Sequence, residues 1–251
     1  MHYKRVIFDM DGTLTESYGN MLDSMRYHFE ELCRVFTVAV LSGADVARMK
    51  SQIPFDHFWE GGRNLYLMAL SGNISLLNDQ VLWKNMLSWR DKLAIFEHIS
   101  ALRAAFPFSI TDESDLVEDH GAQVAFSFIG HHASREKKAA FDAERVLRHD
   151  ALCAIPFIHP SVTVKVGGTT CLDYTQKNGT KADNALRLFR EAGLVNTLFI
   201  GDNLDPGGND EPMLFVTDCI AVKGPYETEQ IIRTLLRDAV PENIIPANRT
   251  R

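Results

Sequence analysis

The stretch Arg5-Val6-Ile7-Phe8-Asp9-Met10-Asp11-Gly12-Thr13 runs from an apolar segment straight into two acids and a glycine. Such a run, ending abruptly in polar residues, suits a buried strand of a parallel sheet that empties into a loop at its carboxyl end. Asp9 then stands at the strand tip, with Asp11 two residues on. Gly12 lets the backbone turn sharply beneath the pair, and the Thr13 hydroxyl is expected to tie the loop down. Two carboxylates at this spacing suit attack on a phosphate ester, one as nucleophile and the other as proton donor to the departing oxygen.

Downstream, Met21, Leu22, Met25, Phe29 and Leu32 repeat at the 3.6-residue period of a helix packed on one face of a sheet. A second strand, Thr37 to Leu41, ends at Ser42-Gly43, and a helix from about Ala44 carries Val46, Met49 and Ile53 inward. The middle of the chain reads differently. A long helix is expected over Val81 to Leu102. Val124, Phe126 and Phe128, and later Val162, Val164 and Val166, alternate with polar or small residues as half-exposed antiparallel strands do. Arg135 to His149 reads as a charged helix between them. After Gly179 the pattern returns to helix (Lys181 to Ala192), buried strand (Thr197 to Ile200), strand (Cys219 to Val222) and helix (Tyr226 to Leu236). The expected organisation is an α/β core with a parallel sheet, residues 1–78 and 178–251, interrupted by an α+β domain over 79–177. The polar segment from Pro241 is expected to fray.

The chain has 251 residues, 45% of them hydrophobic, and a formal charge of −7 without a concentrated Lys/Arg stripe. That balance argues against nucleic acid or an anionic membrane surface as a partner. The four cysteines show no CxxC spacing, which suits free thiols in a reducing compartment. With no apolar segment near the N-terminus long enough for a signal peptide, the expectation is a cytoplasmic protein acting on a small phosphorylated molecule.

A carboxylate meets a phosphate dianion against a repulsion of roughly 4 kcal/mol per pair of unit charges about 4 Å apart, at an effective dielectric near 20. Positive charge must be supplied, by a hard dication on oxygen ligands and by a lysine or arginine. Ile200-Gly201-Asp202-Asn203 is a second buried run entering an acidic loop, followed by Asn209 and Asp210. Asp202 is the expected third metal ligand, with Asn209 and Asp210 supporting it from behind. Lys181, opening a helix, is the candidate cation, and Ser42 the candidate hydroxyl for a phosphate oxygen, beside Gly43.

Together Asp9-Met10-Asp11-Gly12-Thr13, Ser42, Lys181, and Gly201-Asp202 with Asn209-Asp210 resemble the four motifs of the haloacid dehalogenase superfamily. The resemblance implies a Rossmann-like core and a transient aspartyl phosphate on Asp9. It makes Asp11 the general acid and base, and has Mg²⁺ held by the Asp9 carboxylate, the Asp11 main-chain carbonyl and Asp202. Well over a hundred residues separate Ser42 from Lys181, which places the insertion in the C2 class of cap domains. Pro206 to Asp210, Ser127-Phe-Ile-Gly130 and Gly167-Gly168 with Leu172-Asp173 resemble the phosphomannomutases and their bacterial relatives. In that family cap arginines grip a distal phosphate. The matching positions here hold His120 and His131, Cys171 stands where a serine is expected, and Asp173, a sugar-hydroxyl contact in the family, is kept. Histidine carries only partial charge near neutral pH. This tilts the expectation from mutase to phosphatase acting on a sugar phosphate, ahead of a phosphomannomutase-like mutase and of a non-catalytic phosphometabolite-binding protein. Either a monomer or a cap-mediated homodimer is expected.

Overall fold

The computed structural model describes residues 3–55, 65–110, 112–206 and 208–239. The segment 241–251, expected to fray, lies outside them. The chain forms two compact units, Met1–Trp83 with Thr180–Arg251, and Lys84–Gly179.

The first unit is built on a seven-stranded sheet. Its strands are β1 (Arg5–Phe8), β2 (Thr37–Leu41), β3 (Leu65–Ala69), β4 (Ile74–Leu77), β5 (Gln80–Lys84), β10 (Thr197–Gly201) and β11 (Asp218–Ala221), in the order β11-β10-β1-β2-β3-β4-β5. From β11 to β3 the pairing is parallel. Val6, Ile7 and Phe8, and all of Thr197–Gly201, are buried, as strands covered on both faces must be. One face packs α1 (Asp23–Val35) and α7 (Pro225–Ala239), with Phe8, Met25, Phe29, Val38, Val40, Ile200 and Ile232 in one apolar cluster. The other packs α6 (Lys181–Leu188), through Ala182 and Ala185 against Ile7, Ala39 and Phe199. The chain lays β2 and β3 to one side of β1 and returns to place β10 and β11 on the other. The order therefore reverses at β1, and in open α/β sheets ligands bind at the carboxyl ends beside such a switch.

Two expectations are corrected by the strand pairing and backbone. The long helix over Val81 to Leu102 does not begin at Val81. Residues 80–84 form β5, and the helix α3 runs Trp89–Ala105, opened by a capping box between Ser88 and Asp91. The cause is the dipeptide Asn78-Asp79, both at positive φ (46° and 71°), the two-residue turn that folds a hairpin. Arg135 to His149 is likewise not one helix. It splits into α4 (Arg135–Phe141) and α5 (Val146–Ala154). Arg145 sits at φ 60°, and Asp142 caps the second helix by accepting from the Leu147 and Arg148 backbone N–H groups.

The second unit is a four-stranded antiparallel sheet in the order β6-β7-β9-β8, made of β6 (Val117–Asp119), β7 (Gln123–Ser127), β8 (Val162–Gly167) and β9 (Cys171–Gln176). One face carries Val124, Phe126, Leu172 and Tyr174 into a core with Ile95, Ile99 and Leu102 of α3 and Ala151 of α5. Arg148 is fully buried there. It pairs with Asp142 and donates to the carbonyls of Gly167 and Gly168 at 2.7 and 3.0 Å, bracing the β8–β9 turn.

Candidate active site

Parallel pairing brings the tips of β1, β2 and β10 to one edge, and with them Asp9, Ser42 and Asp202. Lys181 comes to Asp9 from the first residue of α6, whose start is fixed by a capping box between Thr180 and Asp183. Its Nζ donates to Asp9 Oδ1 and to Asp210 Oδ1, both at 2.6 Å, and all three side chains are buried. The second Asp210 oxygen accepts the Asn203 N–H at 3.2 Å. Asp210 is thus drawn into the centre rather than standing behind it.

Carboxylate oxygens of Asp9, Asp202 and Asp210 lie within 4.8 Å of one another. Three acids against one lysine leave two negative charges uncompensated. Burial pushes the Asp9 carboxyl up to about 7, with Lys181 opposing and Asp210 adding. Asp202 is raised as well, by burial and then by Asp210. Lys181 is disfavoured as a cation by burial, but Asp210 and Asp9 outweigh this and hold it charged. Hard oxygen ligands and a deficit of two charges fit a divalent cation such as Mg²⁺.

Two glycines keep this packing open. Gly12 has φ +72°, and a Cβ there would meet Asp202 Oδ2 at 2.5 Å; at Gly201 it would meet Asp210 Oδ2 at 2.5 Å. The expected anchoring by Thr13 is not found. Its Oγ1 is buried without a hydrogen-bond partner among the described residues, and the loop is instead held by the Thr13, Leu14 and Thr15 N–H groups converging on the Met10 carbonyl. Asp11's side chain lies apart from the carboxylate cluster, ion-paired with Arg48 of α2 (Val46–Gln52). Buried Ser42 accepts the Ala44 N–H on Oγ at 3.1 Å, which leaves its hydroxyl hydrogen free to donate. Gly43 faces open space, and Asn209 is exposed, accepting from the Asn203 side chain at 2.9 Å.

The remaining candidates belong to the second unit. His120 Nε2 and His131 Nδ1 lie 3.2 and 3.5 Å from the same Glu118 oxygen. Cys171 Sγ is 4.0 Å from His131 Nδ1, and burial pushes its thiol up to about 11, so it stays neutral. Asp173 sits on β9, opposite Lys165 and Ala125 in register. Burial pushes it up to about 6, against the Gln123 side chain and the charges of His120 and Arg148. Gly167 closes over it so tightly that a Cβ would meet Asp173 Oδ2 at 1.8 Å.

No protein-family model matches the chain. A phosphomannomutase of Encephalitozoon cuniculi is 25% identical over 249 residues, covering 92% of this chain and 93% of that protein. Among solved structures, IMP-nucleotidase of Plasmodium falciparum superposes with a TM-score of 0.67 at 15% identity, over 97% of this chain and 71% of that one. Trehalose-6-phosphate phosphatase of Aspergillus fumigatus gives a TM-score of 0.58 at 16% identity, over 94% and 93%. A haloacid dehalogenase-like hydrolase of Bacteroides thetaiotaomicron gives 0.58 at 13%, over 93% and 99%. The chain is similar to phosphomannomutases over most of its length, and it shares its fold with a haloacid dehalogenase-like hydrolase.

Arg48, Glu118 and Arg148 carry no distinguishing signal in the sequence. Arg48 lies on an amphipathic turn whose charged face looks like ordinary surface. Glu118 has only its position two residues before His120 to mark it. Arg148 sits among surface-type residues of α5, and nothing in its neighbours shows that it turns inward. Among the described residues, no helix is long and apolar enough to cross a membrane.

Proposed function

We propose that the protein is a Mg²⁺-dependent phosphatase that hydrolyses a small phosphorylated metabolite, a sugar phosphate, in the cytoplasm. The observation that carries this reading is Lys181 bridging Asp9 and Asp210 within a three-carboxylate cluster at the carboxyl edge of the sheet. Asp9 and Asp202, with the Asp11 carbonyl, would hold the cation. When bound, Mg²⁺ supplies the charge that lets an anionic nucleophile approach a phosphate.

In the first half-reaction an Asp9 oxygen attacks phosphorus, and the ester P–O bond breaks with its electron pair passing to the leaving oxygen. That oxygen takes the proton of the Asp11 carboxyl. In the second, water attacks phosphorus and yields a proton to Asp11, and the bond to Asp9 breaks, restoring the carboxylate. Lys181 holds Asp9 in place and balances charge as the phosphoryl group arrives. The Ser42 hydroxyl donates to a phosphate oxygen, with Gly43 beside it. Asp210 positions Lys181, and Asn209 steadies the loop through Asn203.

Water as the acceptor is favoured by the second unit. His120, His131 and Asp173 are its substrate-reading residues, and both histidines share the Glu118 carboxylate. Such a group is poorly suited to gripping the second phosphate of a bisphosphorylated sugar, a task that calls for permanent positive charge. The rival reading, a mutase, draws on the phosphomannomutase relatives. The test is the protein with Mg²⁺ and a panel of sugar phosphates, with and without a hexose bisphosphate, following free phosphate and isomer conversion. Stoichiometric phosphate release supports the phosphatase. Conversion of mannose 1-phosphate to the 6-phosphate without release would establish the mutase.

A further inference from the structure

Asp11 is held on one side only. The Arg48 guanidinium pairs with Oδ1, and the Tyr18 backbone N–H donates to the same oxygen at 3.2 Å. Oδ2 has no hydrogen-bond partner among the described residues. Arg48 is itself fixed from three directions: its Nε donates to Gln52 Oε1 at 2.9 Å, its backbone N–H to Asp45 Oδ1 at 2.8 Å, and its guanidinium lies 3.9 Å from the centroid of the Tyr18 ring. Gln52 in turn donates to the Gly19 carbonyl. Helix α2 and the loop that follows Asp11 are thus tied together through one arginine, at a half-buried site where the ion pair is partly shielded from water.

We propose that Arg48 is a positioning residue for proton transfer, occupying Asp11 Oδ1 so that the proton of the reaction travels through Oδ2. The inference rests on the phosphoaspartate chemistry proposed above. An oxygen that already accepts from a guanidinium and an amide has little capacity left for a proton, and a carboxyl pinned by two donors cannot rotate to exchange its oxygens. In the first half-reaction, the proton on Oδ2 goes to the leaving oxygen as that oxygen takes the electron pair of the breaking P–O bond. Asp11 is left ionised, with Arg48 already in place to balance the new charge.

The requirement for this proton depends on the leaving group. A p-nitrophenolate departs without help, whereas the alkoxide of a sugar or glycerol phosphate does not. The test is release of the leaving alcohol from p-nitrophenyl phosphate and from an alkyl phosphate, read as kcat/KM, which reports only the steps up to formation of the phosphoenzyme. It is measured for the wild type, Arg48→Met, Arg48→Lys and Asp11→Asn, in the full chain with Mg²⁺. Arg48→Met is expected to lose about 10²-fold on the alkyl ester and under about 3-fold on the aryl ester, in line with the size of general-acid effects. Arg48→Lys should recover part of the loss, and the Arg48→Met/Asp11→Asn double variant should be no worse on the alkyl ester than Asp11→Asn alone. Equal losses on both esters overturn the proposal, as does full additivity in the double variant. If Arg48→Met does not fold, Arg48→Lys and Arg48→Gln carry the same comparison. Leaving-alcohol release precedes the choice of acceptor, so a wild type that transfers the phosphoryl group to a sugar refutes the phosphatase reading while leaving the Arg48 comparison intact.

Discussion

At the scale of single residues, Lys181 serves two buried carboxylates at once. Replacing it with methionine removes the cationic contact of each and leaves Asp9 and Asp210 with uncompensated charge. Breaking a buried pair in this way costs about 3–5 kcal/mol. The Asp9 carboxyl is already raised to about 7 with the lysine present. A raised carboxyl stabilises the fold in its protonated form, and that contribution is lost as pH climbs through the folded value. Lys181→Met should therefore lower Tm far more at pH 8 than at pH 5.5, and millimolar Mg²⁺ should recover part of the loss at pH 8. A pH-independent loss in thermal melts would count against the charge account. Asp9→Asn tests the nucleophile from the other side. It relieves the same crowding, so it should leave Tm equal or higher while abolishing turnover, and retained turnover would end the phosphoaspartate mechanism.

Asp173 obeys the same sign. Its carboxyl ordinarily titrates near 3.8 and is pushed up to about 6 in the fold, so wild-type stability declines between about pH 4 and pH 6 as it ionises. Asp173→Asn removes that decline. The variant should melt close to wild type at pH 4 and above it at pH 7.5, provided the amide keeps the Gln123 contact. A gain in stability accompanied by a higher KM for sugar phosphates would identify Asp173 as an acid kept for binding at a cost to the fold. Unchanged kinetics would leave it a structural residue.

At the scale of elements, the loop after β1 and the tip of β10 meet so closely that the glycine between them decides where the proposed metal ligand Asp202 can stand. Gly12→Ala must place a methyl where Asp202 Oδ2 now lies, at a backbone angle L-residues seldom adopt. The loop or Asp202 must move, so the Mg²⁺ concentration for half-maximal activity should rise at least about tenfold, in keeping with the effect of disturbed ligand orientation. An unchanged Mg²⁺ requirement would take Asp202 out of the ligand set. This loop also shows what can be read from sequence. β1, β2 and β10 were legible because strands buried on both faces are written as unbroken apolar runs, and their polar stops mark the carboxyl edge where Asp9, Ser42 and Asp202 gather. The hairpin of β4 and β5 was marked only by Asn78-Asp79. The apolar residues that follow fit a helical period as well as a strand, so the period obscured the turn. Arg48 and Glu118 were invisible for a different reason. A charged residue on a helix or edge strand reads as surface until the fold shows which acid or histidine it faces.

At the scale of the whole molecule, helix α3 is apolar on two sides. One side buries Ile95, Ile99 and Leu102 in the second unit's core. The other presents Trp89, Leu93 and Phe96 at successive helical turns, 70%, 51% and 42% exposed. A solvent-facing helix ordinarily carries polar residues on its outer face, and contiguous exposed apolar patches mark association sites. We therefore expect a homodimer in which this stripe meets its copy across a two-fold axis, where each side chain finds a like partner. Sedimentation equilibrium should give a mass near twice 28.3 kDa that falls toward the monomer on dilution. Leu93→Lys should shift the protein to monomer at all concentrations with turnover of the proposed phosphorylated substrate retained, because a lysine in the middle of the stripe leaves two charges facing each other at the axis. A wild type that sediments as a monomer at high micromolar concentration would refute the stripe as a self-association surface, and a dimer unaffected by Leu93→Lys would place the interface on another face.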